Sequence, residues 1–274
     1  IVELLLITTV PSMVVSIYGF PPLELILATV LGGTLLAVSA NVLNQIFEIS
    51  TDSLMERTVN RPLVTGEVSK KNAYIYSISL GLFGYLILYT QSTTLAANIA
   101  LSANIFYSFI YTLILKPRTN QNIVIGGAAG AAPVLIGWSA TGAELEIGSW
   151  LLFLLVFLWT PAHFWALSLE NIDDYKDADF PMLPTQESKK RTAIFIGVYS
   201  CATVITSILL APILQLGITY LVLALLFGIY LMYKSYGLYV DKVKPISYFI
   251  FSNTYLAVIF LSMVGDIFIT LGSI

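Results

Sequence analysis

Cysteine is almost missing from this chain. Cys201 stands alone inside an apolar segment, which excludes an intramolecular disulfide and any cysteine-based metal site. Charge is scarce as well: 11% of residues are charged against 57% hydrophobic. Together with a mean hydropathy of +0.85, this excludes an ordinary soluble domain and places the chain among polytopic helical membrane proteins. A formal charge of −3 gives no reason to expect a nucleic-acid partner. The first residue is Ile1 rather than Met, and the opening run lacks the short, basic-flanked shape of a cleaved signal. The expectation is a first span short of a few native residues.

What is present is a series of long apolar runs, broken by Pro, Gly and charge. They predict nine spans, at roughly 1–18, 23–43, 72–90, 93–115, 122–140, 148–169, 192–211, 214–233 and 246–271. The expected fold is an all-α membrane protein, nine transmembrane helices in a single bundle, forming one domain over residues 1–274. All 13 Lys and Arg fall in the even-numbered loops, and odd loops such as "YGFPP" and "TGAELEIG" carry none. By the positive-inside rule the even loops and the amino terminus face the cytoplasm and the carboxyl terminus lies outside, in the cell membrane.

One cytoplasmic loop concentrates charge. "NQIFEISTDSLMERTVNRPL", residues 44–63, contains Asn44, Glu48 and Asp52 at i, i+4, i+8, which a helix sets within about 80° on one face, followed by Glu56, Arg57 and Arg61. A lone acidic pair of this kind is usually a solvated loop. A second cluster weighs against that: "ENIDDYKDADFPMLP" spaces Glu170 with Asp174, and Asp173 with Asp177, four residues apart, and bases accompany both clusters. Acidic faces with Arg and Lys nearby suit Mg²⁺ shared between carboxylates and substrate phosphates, because Mg²⁺ prefers hard oxygens and seldom has an all-protein cage. A diphosphate head at the water boundary with a tail among the helices describes a polyprenyl diphosphate. Its loss of diphosphate leaves an allylic cation that a site must shelter from water. The competing class is an ion-coupled transporter, whose acids would lie near the midplane. The clustering at one face favours an enzyme, with its active site toward the cytoplasmic side.

These residues resemble the UbiA-type intramembrane prenyltransferases, whose first acidic motif is Asn-x3-Asp-x3-Asp followed by Met-Glu-Arg-Thr and Asn-Arg-Pro-Leu. "YTLILKPRTNQNIVIGGAAGAAPVLIGW", "FLWTPAHFWALSLENIDDY" and "ADFPMLP" are similar to signatures of the protohaem IX farnesyltransferases within it, and the likeness runs from the first span to about residue 190. The resemblance implies transfer of a farnesyl group from farnesyl diphosphate to a vinyl group of haem b, giving haem O, with Mg²⁺ as cofactor and the bilayer as surroundings. The runner-up acceptor is a quinone precursor or other small aromatic.

Residue by residue, Asn44 and Asp52 match first-motif metal ligands, and Glu48 stands where the family usually has Asp. Arg57 and Arg61 match the bases that follow. Lys116 matches the first base of a Lys-Arg pair, with Pro117 in the second place and Arg118 one residue later. Asp174 and Tyr175 match the second motif. The implied metal set is Asn44, Glu48, Asp52, Asp173, Asp174 and Asp177; the diphosphate set is Arg57, Arg61, Lys116 and Arg118; and Asp52, Asp174 and Lys116 carry catalysis. His163, the chain's one histidine, falls about two turns inside the sixth span. It is either a core histidine or, with Trp165, a contact for a flat aromatic acceptor or for haem iron. Acceptor positioning is the favoured expectation. Tyr107 and Tyr111 are candidates for stabilising a cation by their ring faces. "IGGAAGAAPVLIGW" lacks the strand and Gly-Lys-Ser/Thr of a P-loop and predicts close helix packing. Asp266, deep in the last span, has no role readable from the sequence.

Overall fold

The computed structural model describes residues 2–272, with side chains from 7 to 269. Ile1, where the first expected span opens, and residues 273–274 at the end of the expected domain lie outside the described residues. Everything between is helix and short connection, with no strand among the described residues. This is what a lipid interior demands, since a helix satisfies its own backbone polar groups.

The long helices are α1 (Val2–Ile17), α2 (Leu23–Phe47), α5 (Lys70–Gln91), α6 (Thr94–Ile105), α7 (Asn122–Ala140), α8 (Ile147–Glu170), α11 (Lys189–Ile213), α12 (Ile218–Tyr239) and α13 (Pro245–Gly272). Short helices α3 (Ile49–Asp52) and α4 (Pro62–Thr65) follow α2, and α9 (Ile172–Asp177) and α10 (Leu183–Gln186) follow α8. Eight helices among the described residues are long and apolar enough to cross a membrane, and the first expected span is represented by a shorter apolar stretch, Ile7–Ile17. Polar caps fix several starts. Ser69, Thr93 and Ser188 accept from the backbone N–H groups of Asn72, Ala96 and Arg191.

Two boundaries differ from the sequence reading with consequence. Helix α2 runs to Phe47, four residues past the expected end at 43, so Asn44 sits on the spanning helix itself. The fourth span changes character midway: after Ile105 it continues as a π-helical segment, Phe106–Leu115.

Helices α7 and α8 are the most enclosed, and α1, α11 and α13 pack around them on a core that includes Val134, Trp138, Leu155, Trp159 and Phe260. On the other flank α2 lies against α5, where a Cβ on Gly84 would strike the Gly32 carbonyl, so only glycine permits this approach. Asp266 finds its role here. Its carboxylate accepts the Gly217 N–H at 2.5 Å and so caps the start of α12 from α13. The short helices α3, α4, α9 and α10 lie between α2 and α5 and between α8 and α11, in the loops that carry the acidic motifs.

Candidate active site

The site begins where α2 ends. Asn44 and Glu48 occupy its last turn and C-cap, and Glu48 leaves helical geometry (φ −101°, ψ 11°) before α3 resumes with Asp52 in its single turn. The three residues are therefore not on one continuous helix as the spacing suggested. The turn-to-turn backbone bonds survive, Glu48 N–H to Asn44 O at 3.0 Å and Asp52 N–H to Glu48 O at 2.7 Å, so all three side chains remain stacked and buried. Beyond α3 the Thr58 hydroxyl donates to Asp52 O at 2.8 Å. This folds the loop back so that Arg61 reaches Asp52 Oδ2 at 2.5 Å.

The π-helical segment supplies the second base. The Lys116 N–H bonds to Tyr111 O at 2.8 Å, five residues back, and the Thr112 hydroxyl to Tyr107 O at 2.9 Å, so the turn is wider than an α-helix allows. Thr112 also accepts from Asn44 Nδ2 at 3.1 Å, which ties the segment to α2. At its end the Lys116 ammonium touches both oxygens of Glu48, Oε1 at 2.6 Å and Oε2 at 2.7 Å, with hydrogen-bond geometry met only at Oε2. It also sits 4.5 Å from the centre of the Phe180 ring. Side-chain exposure is 7% for Glu48, 4% for Asp52, 16% for Lys116 and 27% for Arg61. Carboxylates this dry need partners, and each has one.

The second acidic loop is brought alongside. Tyr175 of α9, with Ala178, Phe180 and Met182 after it, packs on Met55, Ile123 and Tyr111. Asp174 is half-buried at this junction, while Asp173 and Asp177 are exposed on the outer side of α9. Glu170 accepts the Ile246 N–H at 3.2 Å and so anchors α13 instead of facing the first motif. Arg57 and Arg118 are exposed. Among the described residues no three His, Cys, Asp or Glu side chains form a metal-holding group.

Within the same bundle lies a cavity of about 240 Å³ bounded by α2, α6 with its π-helical continuation, α7 and α8. Tyr107, Tyr111, Ile123 and Asn41 line the end nearest the charged loops. Small residues, among them Ala37, Ala100, Gly126 and Gly130, line the rest. The glycine-rich stretch of α7 thus has two uses. Gly126 admits the Tyr111 ring, which a Cβ would strike, and a Cβ on Gly130 would meet only the Thr160 hydroxyl beyond its own helix, at 3.9 Å. Tyr107 and Tyr111 stack with centroids 5.2 Å apart at 23°.

Residues 5–265 match the UbiA prenyltransferase family. The chain belongs to that family. A protoheme IX farnesyltransferase from Leifsonia xyli subsp. xyli (strain CTCB07) is 42% identical over 271 residues, which cover 97% of this chain and 88% of the relative. A solved structure from work on digeranylgeranylglyceryl phosphate synthase in membranes aligns with a TM-score of 0.79 at 21% identity, covering 96% of this chain and 92% of that one. A UbiA homologue from Archaeoglobus fulgidus, solved bound to GPP and Mg²⁺, aligns with a TM-score of 0.68 at 18% identity, covering 94% and 95%. At such identities the two structures speak for the fold.

In this UbiA chain the expected acceptor residues sit apart from the cavity. His163 is 6% exposed, with Trp159 on one ring face and Phe249 on the other, both at 4.2 Å between centroids, and its Nδ1 lies 2.7 Å from Ser252 Oγ. Trp165 is buried against Phe195 and Tyr199. Their helix instead turns Thr160 and Phe164 to the cavity. Asn41, Thr112, Thr160 and Phe180 were not singled out from the sequence. Asn41 alone carried a usable signal there, lying three and seven residues before Asn44 and Glu48 on one helical face.

Proposed function

We infer that this chain is a Mg²⁺-dependent protohaem IX farnesyltransferase, moving a farnesyl group from farnesyl diphosphate to a vinyl group of haem b to give haem O. The observation that carries the reading is the buried acid–base cluster in the same helical framework as an apolar cavity lined by two stacked tyrosines. A relative 42% identical bears the name of that activity. The cavity spans Gly33 to Asn41 on α2 and Ile123 to Ile136 on α7, about 12–20 Å at helical rise. An extended farnesyl chain measures about 14 Å at ordinary carbon–carbon bond lengths.

Arg61 and Lys116 hold the diphosphate oxygens, and Arg57 and Arg118 draw the anion toward them from exposed positions. Asn44, Glu48 and Asp52 at the junction of α2 and α3, and Asp174, with Asp173 and Asp177 near it, on α9 would hold Mg²⁺. They offer the hard oxygens it prefers, and Glu48 Oε1 is buried without a hydrogen bond. An ion held by these residues would take its remaining ligands from the substrate phosphates and water, as Mg²⁺ commonly does. When bound, Mg²⁺ neutralises charge on the departing diphosphate. The carbon–oxygen bond at farnesyl C1 breaks with its electron pair leaving on the diphosphate. The vinyl pair then forms the new carbon–carbon bond, and water adds to the resulting cation with loss of a proton.

His163 and Trp165 serve the acceptor end as positioning residues, holding α8 against α13 and α11 so that Phe164 faces the cavity. The confinement of all 13 Lys and Arg to alternate loops supports nine spans with this end in the cytoplasm. The test is incubation of purified protein with Mg²⁺, haem b and radiolabelled diphosphates of several chain lengths. The expected result is a farnesylated haem, with none formed when Mg²⁺ is chelated. Labelling of a quinone precursor but not of haem would overturn the acceptor assignment.

A further inference from the structure

The cavity wall is apolar apart from the two tyrosines and three side chains: Asn41, Asn104 and Thr160. Each of the three donates to a main-chain carbonyl. Asn41 Nδ2 bonds Ala37 O at 2.9 Å, Asn104 Nδ2 bonds Leu36 O at 2.8 Å, and the Thr160 hydroxyl bonds Val156 O at 2.7 Å. A carbonyl only accepts, so the amide atom facing it must be the nitrogen, which turns each Oδ1 the other way. Neither Oδ1 has a donor among the described residues. Both asparagines are half-buried on the cavity wall, so each Oδ1 stays open to whatever fills the cavity and suits a group that brings positive charge.

Their depth indicates which part of the ligand that is. Asn41 precedes Asn44 by three residues and Glu48 by seven on one face of α2, so its amide lies one to two turns below the charged cluster. With a diphosphate on Arg61 and Lys116, the first carbons of the chain lie at this level, between Asn41 and the stacked rings of Tyr107 and Tyr111. These carbons become positive as the bond to the diphosphate breaks.

We propose that Asn41 is a catalytic residue of this transfer, its Oδ1 stabilising the allylic cation, with the Asn104 and Thr160 oxygens continuing the same electronegative lining. The proposal rests on the farnesyl transfer reading above. An amide oxygen suits the task better than a carboxylate. Its dipole is fixed in advance by the hydrogen bond to Ala37, and it is too weak a nucleophile and base to trap the cation or remove its proton.

The test compares two ligands by calorimetry on the whole detergent-solubilised chain. One is a farnesyl-skeleton tertiary amine, protonated at neutral pH, added with Mg²⁺ and inorganic diphosphate as a mimic of the cation. The other is farnesyl thiodiphosphate with Mg²⁺, which has the same tail and no positive carbon. Asn41→Leu keeps the shape and removes the dipole. It is expected to weaken the ammonium ligand about tenfold or more and the thiodiphosphate less than about threefold, as suits a group aimed at developing charge. Thr160→Val, which leaves both amides in place, is expected to show a smaller loss of the same sense. Equal weakening of both ligands, or no selective loss in either variant, overturns the proposal. If the unaltered chain does not bind the thiodiphosphate, the farnesyl reading itself is what fails.

Discussion

Replacing Lys116 with methionine isolates the ion pair at the centre of the site. Methionine keeps an unbranched apolar stem of similar reach and removes the ammonium, so Glu48 stays where it is with nothing to neutralise it. Its side chain is 7% exposed, and the Lys116 contacts at 2.6 and 2.7 Å are its only ion-pair contacts among the described residues. Stripping one partner from a buried pair costs about 3–5 kcal/mol, because the remaining charge keeps its desolvation penalty and loses its compensation. Loss of the ammonium over Phe180 adds about 0.5–1 kcal/mol. Water reaching the exposed edge of Lys116 relieves part of this, so we expect a net loss of about 3 kcal/mol. Removing both charges with Glu48→Gln and Lys116→Met together should recover most of it, since a neutral amide in the same place costs far less to bury. The measurement is a double-mutant cycle on reversible unfolding in mixed micelles, without diphosphate, with an expected coupling of about 2 kcal/mol. A loss below about 1 kcal/mol in Lys116→Met, or a double variant no more stable than the single one, would refute the claim that Glu48 depends on this partner.

Asp52→Asn and Asp174→Asn should each abolish turnover and leave the helical content near that of the parent, as read by circular dichroism, with some loss of stability in Asp52→Asn because Arg61 loses its partner; near-normal turnover at moderate Mg²⁺ would remove either from the metal set. Arg61→Ala should weaken farnesyl diphosphate binding by about one to two orders of magnitude, the usual worth of a charge-assisted phosphate contact, with haem titration nearly unchanged. His163→Ala opens a hole between Trp159 and Phe249 and removes one of the two hydrogen bonds of Ser252, whose hydroxyl keeps the Phe249 carbonyl, and should cost about 2–4 kcal/mol of stability. If it unfolds like the parent and only haem binding suffers, His163 is a direct contact and not a positioning residue. In a background lacking Cys201, cysteines at Lys70 and Lys189 should react with impermeant reagent from the cytoplasmic side and one at Glu144 from outside. Same-side labelling of Glu144 and Lys70 would break the nine-span topology.

The sequence by itself determined the class, the course of the spanning segments and the location of the charged motifs. Backbone in lipid must bond to itself, so apolar run length translates into helices, and the ends expected for α5, α7, α8 and α13 lie within a few residues of those found. Lys and Arg avoid one set of loops for an energetic reason that leaves a linear trace. Close packing at Gly126 was legible too, since small residues in an apolar run have few other uses.

Tertiary structure alone decided which acid meets which base. Glu48 and Lys116 are 68 positions apart, and their meeting depends on a break after Phe47 and on the wide turns of 106–115, neither of which leaves a periodic signature. His163 is the plainest case. Its position inside a span suggested the acceptor, but the azimuth of α8 turns it toward Phe249 and Ser252, while Thr160 and Phe164 on the same helix reach the cavity. Asp266, without a role in the linear sequence, acquired one when α13 brought it to the start of α12. Hydropathy records how deep a residue lies in the bilayer. Its neighbours are set by how each helix is rotated and where it is packed, and those depend on every other helix at once.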